Sequence, residues 1–310
     1  MYWENKWTFA GSNEYEYKFA GRFGKKGEPR QKRMKPTPEQ MKKQNQRNRE
    51  NKVRRLMKAN FGENDYWVTL KFPAGTRMAV SEVKDCMKGF LRRARGAFRK
   101  RGYELKYIYR IEIGKRGSPH VHILVNRIPD GDVVIKKCWR QGRVDFTLAY
   151  EAGGFQRLAE YLVKVPNERN DPEGETKAYT PSRNLTIPQP ERKRFKRRTM
   201  ERMIRDGIEP TEGFYIDRDS IYYGVNPYTG MTYLKYIEYR IPAGRGKHAG
   251  DQSLHSHRCK VPGKAEGEIP LHPGTEDGQG PGDADGVRVP GGDKEPHRGG
   301  GAQKGAGKSK

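Results

Sequence analysis

The chain has 310 residues, of which 63 are Lys or Arg and 38 are Asp or Glu; the formal net charge of +25 excludes indifference to polyanions. A hydrophobic fraction of 33% excludes a chain that folds throughout, because too little apolar surface exists to offset the ordering of every residue. No apolar run approaches the roughly 18 residues of a membrane span, and Met1-Tyr-Trp-Glu-Asn-Lys6 lacks the apolar core of a signal peptide, so a cytoplasmic protein without a membrane partner is expected. Cys86, Cys138 and Cys259 are odd in number and widely scattered, which indicates reduced thiols rather than a disulfide framework or a CxxC metal site.

Residues 22–58 hold 15 Lys or Arg and three Glu, a net +12 and the densest basic region of the chain. Within this arm Thr37-Pro-Glu-Gln40 has the form of a capping box with proline at the first helical position, so a polar helix is expected to start there. Its few apolar positions, Val53, Leu56 and Met57, come late. A solvated helix and a phosphate-contacting arm both fit, and the charge favours the second.

From about residue 61 the pattern changes. Tyr66-Trp-Val-Thr-Leu-Lys-Phe72 alternates Tyr66, Val68, Leu70 and Phe72 against Trp67, Thr69 and Lys71, the mark of a half-buried strand, and Pro73 ends it. Val80, Val83, Met87, Phe90, Leu91, Ala94 and Phe98 then recur at helical spacing, with Lys84, Lys88, Arg92, Arg95 and Arg99 on the other side. Residues 105–113 and 120–126 are β-rich and joined by Gly114-Lys-Arg-Gly-Ser-Pro119, a hairpin pattern. A strand is expected at 143–148. A helix follows Gly153-Gly154 with Phe155, Leu158, Ala159 and Leu162 on one stripe and stops at Pro166, and a fifth strand is expected at 183–187. This order implies an α+β domain, a five-stranded antiparallel sheet flanked by helices.

Residues 191–205 contain eight Lys or Arg and two Glu and read as a second cationic helix. Residues 213–224 and 231–241 flank Asn226-Pro-Tyr-Thr-Gly230 as a tyrosine-rich hairpin, whose tyrosines are expected to pack the hairpin rather than stack on bases. Residues 243–310 hold 17 glycines, six prolines and no aromatic residue, and read as disordered. Four segments result: 1–58 with the basic arm, 59–190 as the main domain, 191–242 as a basic helix plus hairpin, and the tail 243–310.

Of the seven histidines, five fall in the tail, and the folded part keeps His120 and His122. One residue apart on a strand, both imidazoles project from one face, close enough to hold a single cation. Glu112 lies on the paired strand at an even offset from His120, which can bring it to that face. Two imidazoles and a carboxylate suit Mg2+ or Mn2+ and leave positions free for phosphate oxygens. His255 and His257 have the same spacing without a strand and read as adventitious. Tyr161 and Lys164 stand three apart on the later helix, so a phenol sits beside an ammonium near the metal face, the makings of a nucleophile for a phosphodiester. Lys71, Arg92, Arg95 and Arg99, with Lys115 and Arg116 of the hairpin turn, are the candidate DNA contacts.

Trp67-Val-Thr-Leu-Lys-Phe72, Pro119-His-Val-His-Ile-Leu-Val125 and Tyr161-Leu-Val-Lys164 resemble, in order and approximate spacing, the three motifs of the HUH endonucleases. The chain looks like a rolling-circle replication initiator of the type found in bacterial plasmids, integrative elements and single-stranded DNA phages. The resemblance implies Tyr161 as nucleophile, His120, His122 and Glu112 as metal ligands, and Lys164 as the residue that positions or activates the tyrosine and phosphate. It also implies a single-stranded origin DNA substrate, a 5′-phosphotyrosyl adduct and a free 3′-OH, with a host helicase and DNA polymerase acting in trans. The sequence departs from the pattern at Lys71, where a small polar residue is common, and at Val165, which leaves motif 3 with one tyrosine. The nucleophile follows the histidine pair, which favours replication over mobilisation. A relaxase or single-strand transposase with the same site is the enzymatic alternative. The non-enzymatic one is a nucleic-acid-binding protein stacking bases on Trp67, Tyr107 and Tyr109.

Overall fold

The computed structural model describes residues 1–20, 37–114, 117–151, 154–164, 177–226, 231–241 and 258–261. Among them the chain builds two antiparallel sheets. The second in chain order has strands β3 (Tyr66–Lys71), β4 (Tyr107–Ile113), β5 (Pro119–Val125), β6 (Val144–Leu148) and β7 (Thr180–Pro181) in the order β6-β3-β5-β4-β7. This is the expected α+β arrangement, with the histidine strand at its centre. Helix α2 (Val80–Arg99) follows the predicted apolar stripe and covers one face, where Val83, Met87, Phe90, Ala94 and Phe98 pack on Val68, Leu70, Val121 and Ile123. A short helix, α3 (Gly131–Cys138), joins it. Its run Val133-Val-Ile135 is β-branched and its start has no side-chain cap, so no helical signature precedes it.

The opposite face of this sheet is covered by α1 (Pro38–Asn60) and α4 (Gly154–Val163). Phe155, Leu158, Ala159 and Leu162 of α4 meet Val53, Leu56 and Met57 of α1 over Trp67, Ile108 and Leu124. The capping box forms as expected: Thr37 Oγ1 accepts from the Gln40 N–H and Gln40 Oε1 from the Thr37 N–H, at 3.2 and 3.0 Å.

The expected strand at 183–187 is a turn followed by extended chain; β7 instead pairs Thr180 and Pro181 with Tyr109 and Ile108. The backbone beyond it is satisfied by side chains rather than by a ladder: the Thr186 N–H donates to Asn60 Oδ1 at 2.8 Å and Asn184 Nδ2 to the Leu105 carbonyl at 3.3 Å. Nor is 191–205 one helix. It splits into β8 (Glu191–Phe195) and α5 (Arg197–Asp206).

The other sheet joins the two ends of the described chain. Strands β1 (Tyr2–Thr8) and β2 (Ser12–Phe19) pair with each other, β8 edges β1, and β2 pairs with β11 (Met231–Arg240), which carries β10 (Tyr222–Asn226) and β9 (Phe214–Ile216). The pattern of residues 1–20 does not announce strands, because Glu4, Asn5, Ser12, Asn13 and Glu14 are buried and break the polar-out alternation. One face packs Tyr2, Tyr15, Tyr17, Leu234 and Tyr236 against Met200 of α5. The tyrosines therefore serve packing; the turn residues 227–230 lie outside the described residues. From the tail, Cys259 forms an antiparallel bridge with Ile208 and is buried, whereas the expected disorder of 243–310 otherwise falls outside the described residues.

The second face of this sheet meets the charged side of α1. Arg54 forks onto Glu14 at 2.9 and 2.8 Å, Arg55 reaches Glu14 and Glu16 at 2.9 and 2.8 Å, and Lys58 lies 3.0 Å from Glu14. Arg55 also stacks on Trp7, 3.4 Å from the ring centroid. Helix α1 is thus the layer shared by the two sheets, and the cations of its last turns are internal. Among the described residues no helix is long and apolar enough to cross a membrane.

Burial raises the Glu14 carboxyl, but Arg54, Lys58 and Arg55 outweigh it and hold the group far below the usual carboxylate range. Glu16 is likewise held at about 2 by Lys235 and Arg55 against its burial. A carboxyl depressed on folding stabilises above its unfolded value, about 4.3, and loses that contribution as pH falls through the folded one. Glu14→Gln leaves three cations facing an uncharged amide and is expected to cost about 3–5 kcal/mol in urea unfolding at pH 7. The wild-type advantage should shrink between pH 4 and 2.

Candidate active site

The ladder register builds the site. In β5, His122 stands between Thr69 of β3 and Arg110 of β4, and His120 between Lys71 and Glu112. All six side chains belong to the sheet face under α1 and α4, because the alternate residues of each strand carry the core beneath α2. Glu112 is therefore directly opposite His120, and the even offset seen in the sequence becomes a cross-strand pair. One ligand atom from each of Glu112, His120 and His122 can be chosen so that all lie within 4.8 Å of one another. Nε2 of each histidine is 3.6 Å from Glu112 Oε2. One carboxylate and two imidazoles at this spacing fit a divalent cation with coordination positions left open.

Helix α4 brings Tyr161 onto this cluster. Its hydroxyl donates to Glu112 Oε2 at 2.5 Å and lies 2.8 Å from His122 Nε2. The His122 ring stacks on Trp67 at 5.6 Å with 13° between planes, and Trp67 meets Tyr161 edge-on. His122 Nδ1 is 3.2 Å from Thr69 Oγ1. A hydroxyl can donate to that nitrogen or accept from it, so Thr69 supports either tautomer, including the one that frees Nε2 as a ligand.

The charges follow from this packing. Burial, then the neighbouring His120, push the His122 imidazole down to about 4, so it is neutral, as ligation requires. Contact with His120 and the bond from Tyr161 hold Glu112 at about 2 despite its burial. Burial and the Glu112 carboxylate raise the Tyr161 phenol above its ordinary value, and the Arg110 guanidinium opposes them.

Arg110 was not legible as a site residue, although its signal is present: a charge at an even offset from Glu112 in the apolar run Tyr107-Ile-Tyr-Arg-Ile-Glu-Ile113. Only 5% exposed, it donates through Nη1 to the carbonyls of Tyr161, Leu162 and Lys164 at 3.1, 2.8 and 2.5 Å. These are orphan acceptors at the end of α4, and a buried cation there also meets the negative end of the helix dipole. The strand opposite His122 is thereby tied to the turn that carries Tyr161. Lys164 is one residue past α4 with its side chain exposed, and no bond joins it to the phenol among the described residues. The cation beside Tyr161 is Arg110.

Of the expected DNA contacts, Lys71 lies on the site face, paired with Asp145 at 2.6 Å. Arg92, Arg95 and Arg99 are exposed on α2, behind the sheet, where Arg95 donates to the Tyr107 hydroxyl at 2.8 Å. Lys115 and Arg116 lie outside the described residues. The base-stacking platform of the non-enzymatic alternative is not formed: Trp67 and Tyr107 are 9% and 5% exposed, on opposite faces, and Tyr109 is on the α2 side with Tyr107.

Residues 65–166 match a family model of replication-associated proteins, the ORF2 type. The matched span encloses β3, the histidine hairpin and α4, and it supports a rolling-circle replication initiator, with which the HUH superfamily is consistent. No curated protein and no solved structure matches the chain.

Thr69→Val keeps the strand's shape and removes the partner of His122 Nδ1. It is expected to weaken Mn2+ binding by about 10–100-fold in calorimetric titration, with the unfolding midpoint little changed.

Proposed function

Because residues 65–166 place the chain with the replication-associated proteins of rolling-circle type, we propose that this replication initiator nicks and rejoins single-stranded origin DNA by attack of Tyr161 on a phosphodiester. The observation that carries the reading is the phenol oxygen of Tyr161 at 2.5 and 2.8 Å from two members of the Glu112, His120 and His122 triad. A phenol gains nothing structurally from lying among a carboxylate and two imidazoles.

The triad would hold Mg2+ or Mn2+, which when bound draws charge from the non-bridging phosphate oxygens. The chain's own groups do the rest. Arg110 and the apolar stripe of α4 fix where Tyr161 stands, and Trp67 and Thr69 fix His122. As the Tyr161 Oη–P bond forms, the bond from phosphorus to the 3′ oxygen breaks, the phenol proton leaves to an acceptor at the site, and the 3′ oxygen is protonated. The product is a 5′-phosphotyrosyl DNA and a free 3′-OH, the primer end that a polymerase extends. Rejoining is the reverse attack by a 3′-OH on the phosphotyrosine. Unwinding and synthesis fall to a host helicase and DNA polymerase in trans. Tyr161 following the histidine pair in the chain favours this over a relaxase or a single-strand transposase, which would share the chemistry.

The test is covalent adduct formation with single-stranded origin DNA and Mn2+. Tyr161→Phe and His120→Ala are expected to abolish the adduct, and chelation to abolish it reversibly; an adduct retained by Tyr161→Phe overturns the nucleophile. Arg110→Ala should slow adduct formation by about 100-fold through misplacement of Tyr161, with single-strand binding near wild type. Arg110→Lys, which can bond fewer carbonyls, should recover part of the rate.

A further inference from the structure

Once the internal ion pairs are assigned, the two basic runs separate. Arg54, Arg55 and Lys58 of α1 are neutralised by Glu14 and Glu16. The run through β8 and α5 is not. Arg192, Lys193, Lys196, Arg198 and Arg202 are all exposed and form no ion pair among the described residues, whereas Arg197 and Arg205 are paired with Glu201 and Asp206. Such a concentration of like charge self-repels and gains nothing from the fold that carries it.

The fold displays these cations on one surface. At 100° per residue, Met200, Met203 and Ile204 of α5 point into the core of the first sheet, and Arg198, Arg202 and Arg205 form the outer stripe over two turns, about 10 Å. Strand β8, which pairs only with β1 among the described residues, continues the charge along the sheet edge. Helix α5 covers the face of this sheet opposite the one that meets α1, so the sheet and α1 stand between it and the triad.

We propose that β8 and α5 form a second nucleic-acid site, for double-stranded DNA, separate from the nicking site. Duplex DNA presents one negative charge per about 1.7 Å of axis, so a 10 Å stripe of arginines faces several phosphates at once. A single strand would instead need open aromatic faces. Here Phe195 packs into the core and Trp3 lies under Arg194, 4.5 Å from its ring centroid. The site rests on the proposed function for its biological sense: duplex beside the origin is held on α5 while the extruded strand reaches Tyr161.

The test uses the full chain, a fluorescein-labelled mixed-sequence duplex of about three helical turns, and oligo(dT) of equal length. Arg198→Ala/Arg202→Ala is expected to weaken duplex binding about ten-fold or more and to reduce the slope of log K against log salt by nearly 2, about 0.9 for each phosphate no longer neutralised. Oligo(dT) binding and the unfolding midpoint should hold, and Arg198→Lys/Arg202→Lys should restore most of the duplex affinity. Unchanged duplex binding, an equal loss for duplex and oligo(dT), or a larger loss from Arg92→Ala/Arg99→Ala on α2 overturns the proposal. Tyr161→Phe should bind duplex as wild type does, so failure of the nicking chemistry and failure of duplex docking are read separately.

Discussion

The site depends on the register of three strands. With β5 between β3 and β4, each histidine receives one neighbour from either side: Thr69 and Arg110 for His122, Lys71 and Glu112 for His120. A slip of one residue in either pairing would turn these groups into the core beneath α2 and bring Val68, Val121 and Ile111 to the surface in their place. The apolar face, with Val68, Leu70, Val121 and Ile123 fully buried, forbids that slip. Packing on one side of the sheet thus sets the chemistry on the other.

The same face must also hold a helix at a defined distance. The stripe of α4 gives it a seat on Trp67, Ile108 and Leu124, but hydrophobic contact alone does not stop a helix from sliding. Arg110 supplies direction, since a planar guanidinium bonded to three terminal carbonyls tolerates little displacement. One buried residue of β4 therefore couples the ligand strand to the turn of Tyr161, while its neighbour Glu112 joins the triad.

Net charge proves a coarse guide to binding until its partners are known. The basic arm looked like the main polyanion contact, yet the cations of its last turns are tied to carboxylates of β2 and to the rings of Trp7 and Tyr239. There they hold the first sheet to the helix that also packs on α4. The run at 191–205, with no buried carboxylate opposite it, keeps its charge outward. Burial of the opposite charges made the difference, and it was not visible in residues 1–20, whose buried acids read as surface.

Strand β3, the histidine hairpin, helix α2 and the stripe of α4 were legible because one apolar face of each repeats at its own period and meets a core. His120 and His122 stood out for the same reason: a strand's alternation sends both to one face whatever lies around it. Glu112 and Tyr161 were legible as candidates by spacing alone. Their meeting is tertiary, as is the choice of Arg110 over Lys164 as the cation beside the phenol, because a contact between β4 and α4 spans about fifty residues of chain and leaves no local period. Strands β1 and β2, α3 and the division of 191–205 into strand and helix were decided the same way, by partners distant in sequence that buried what local chemistry would have left in water.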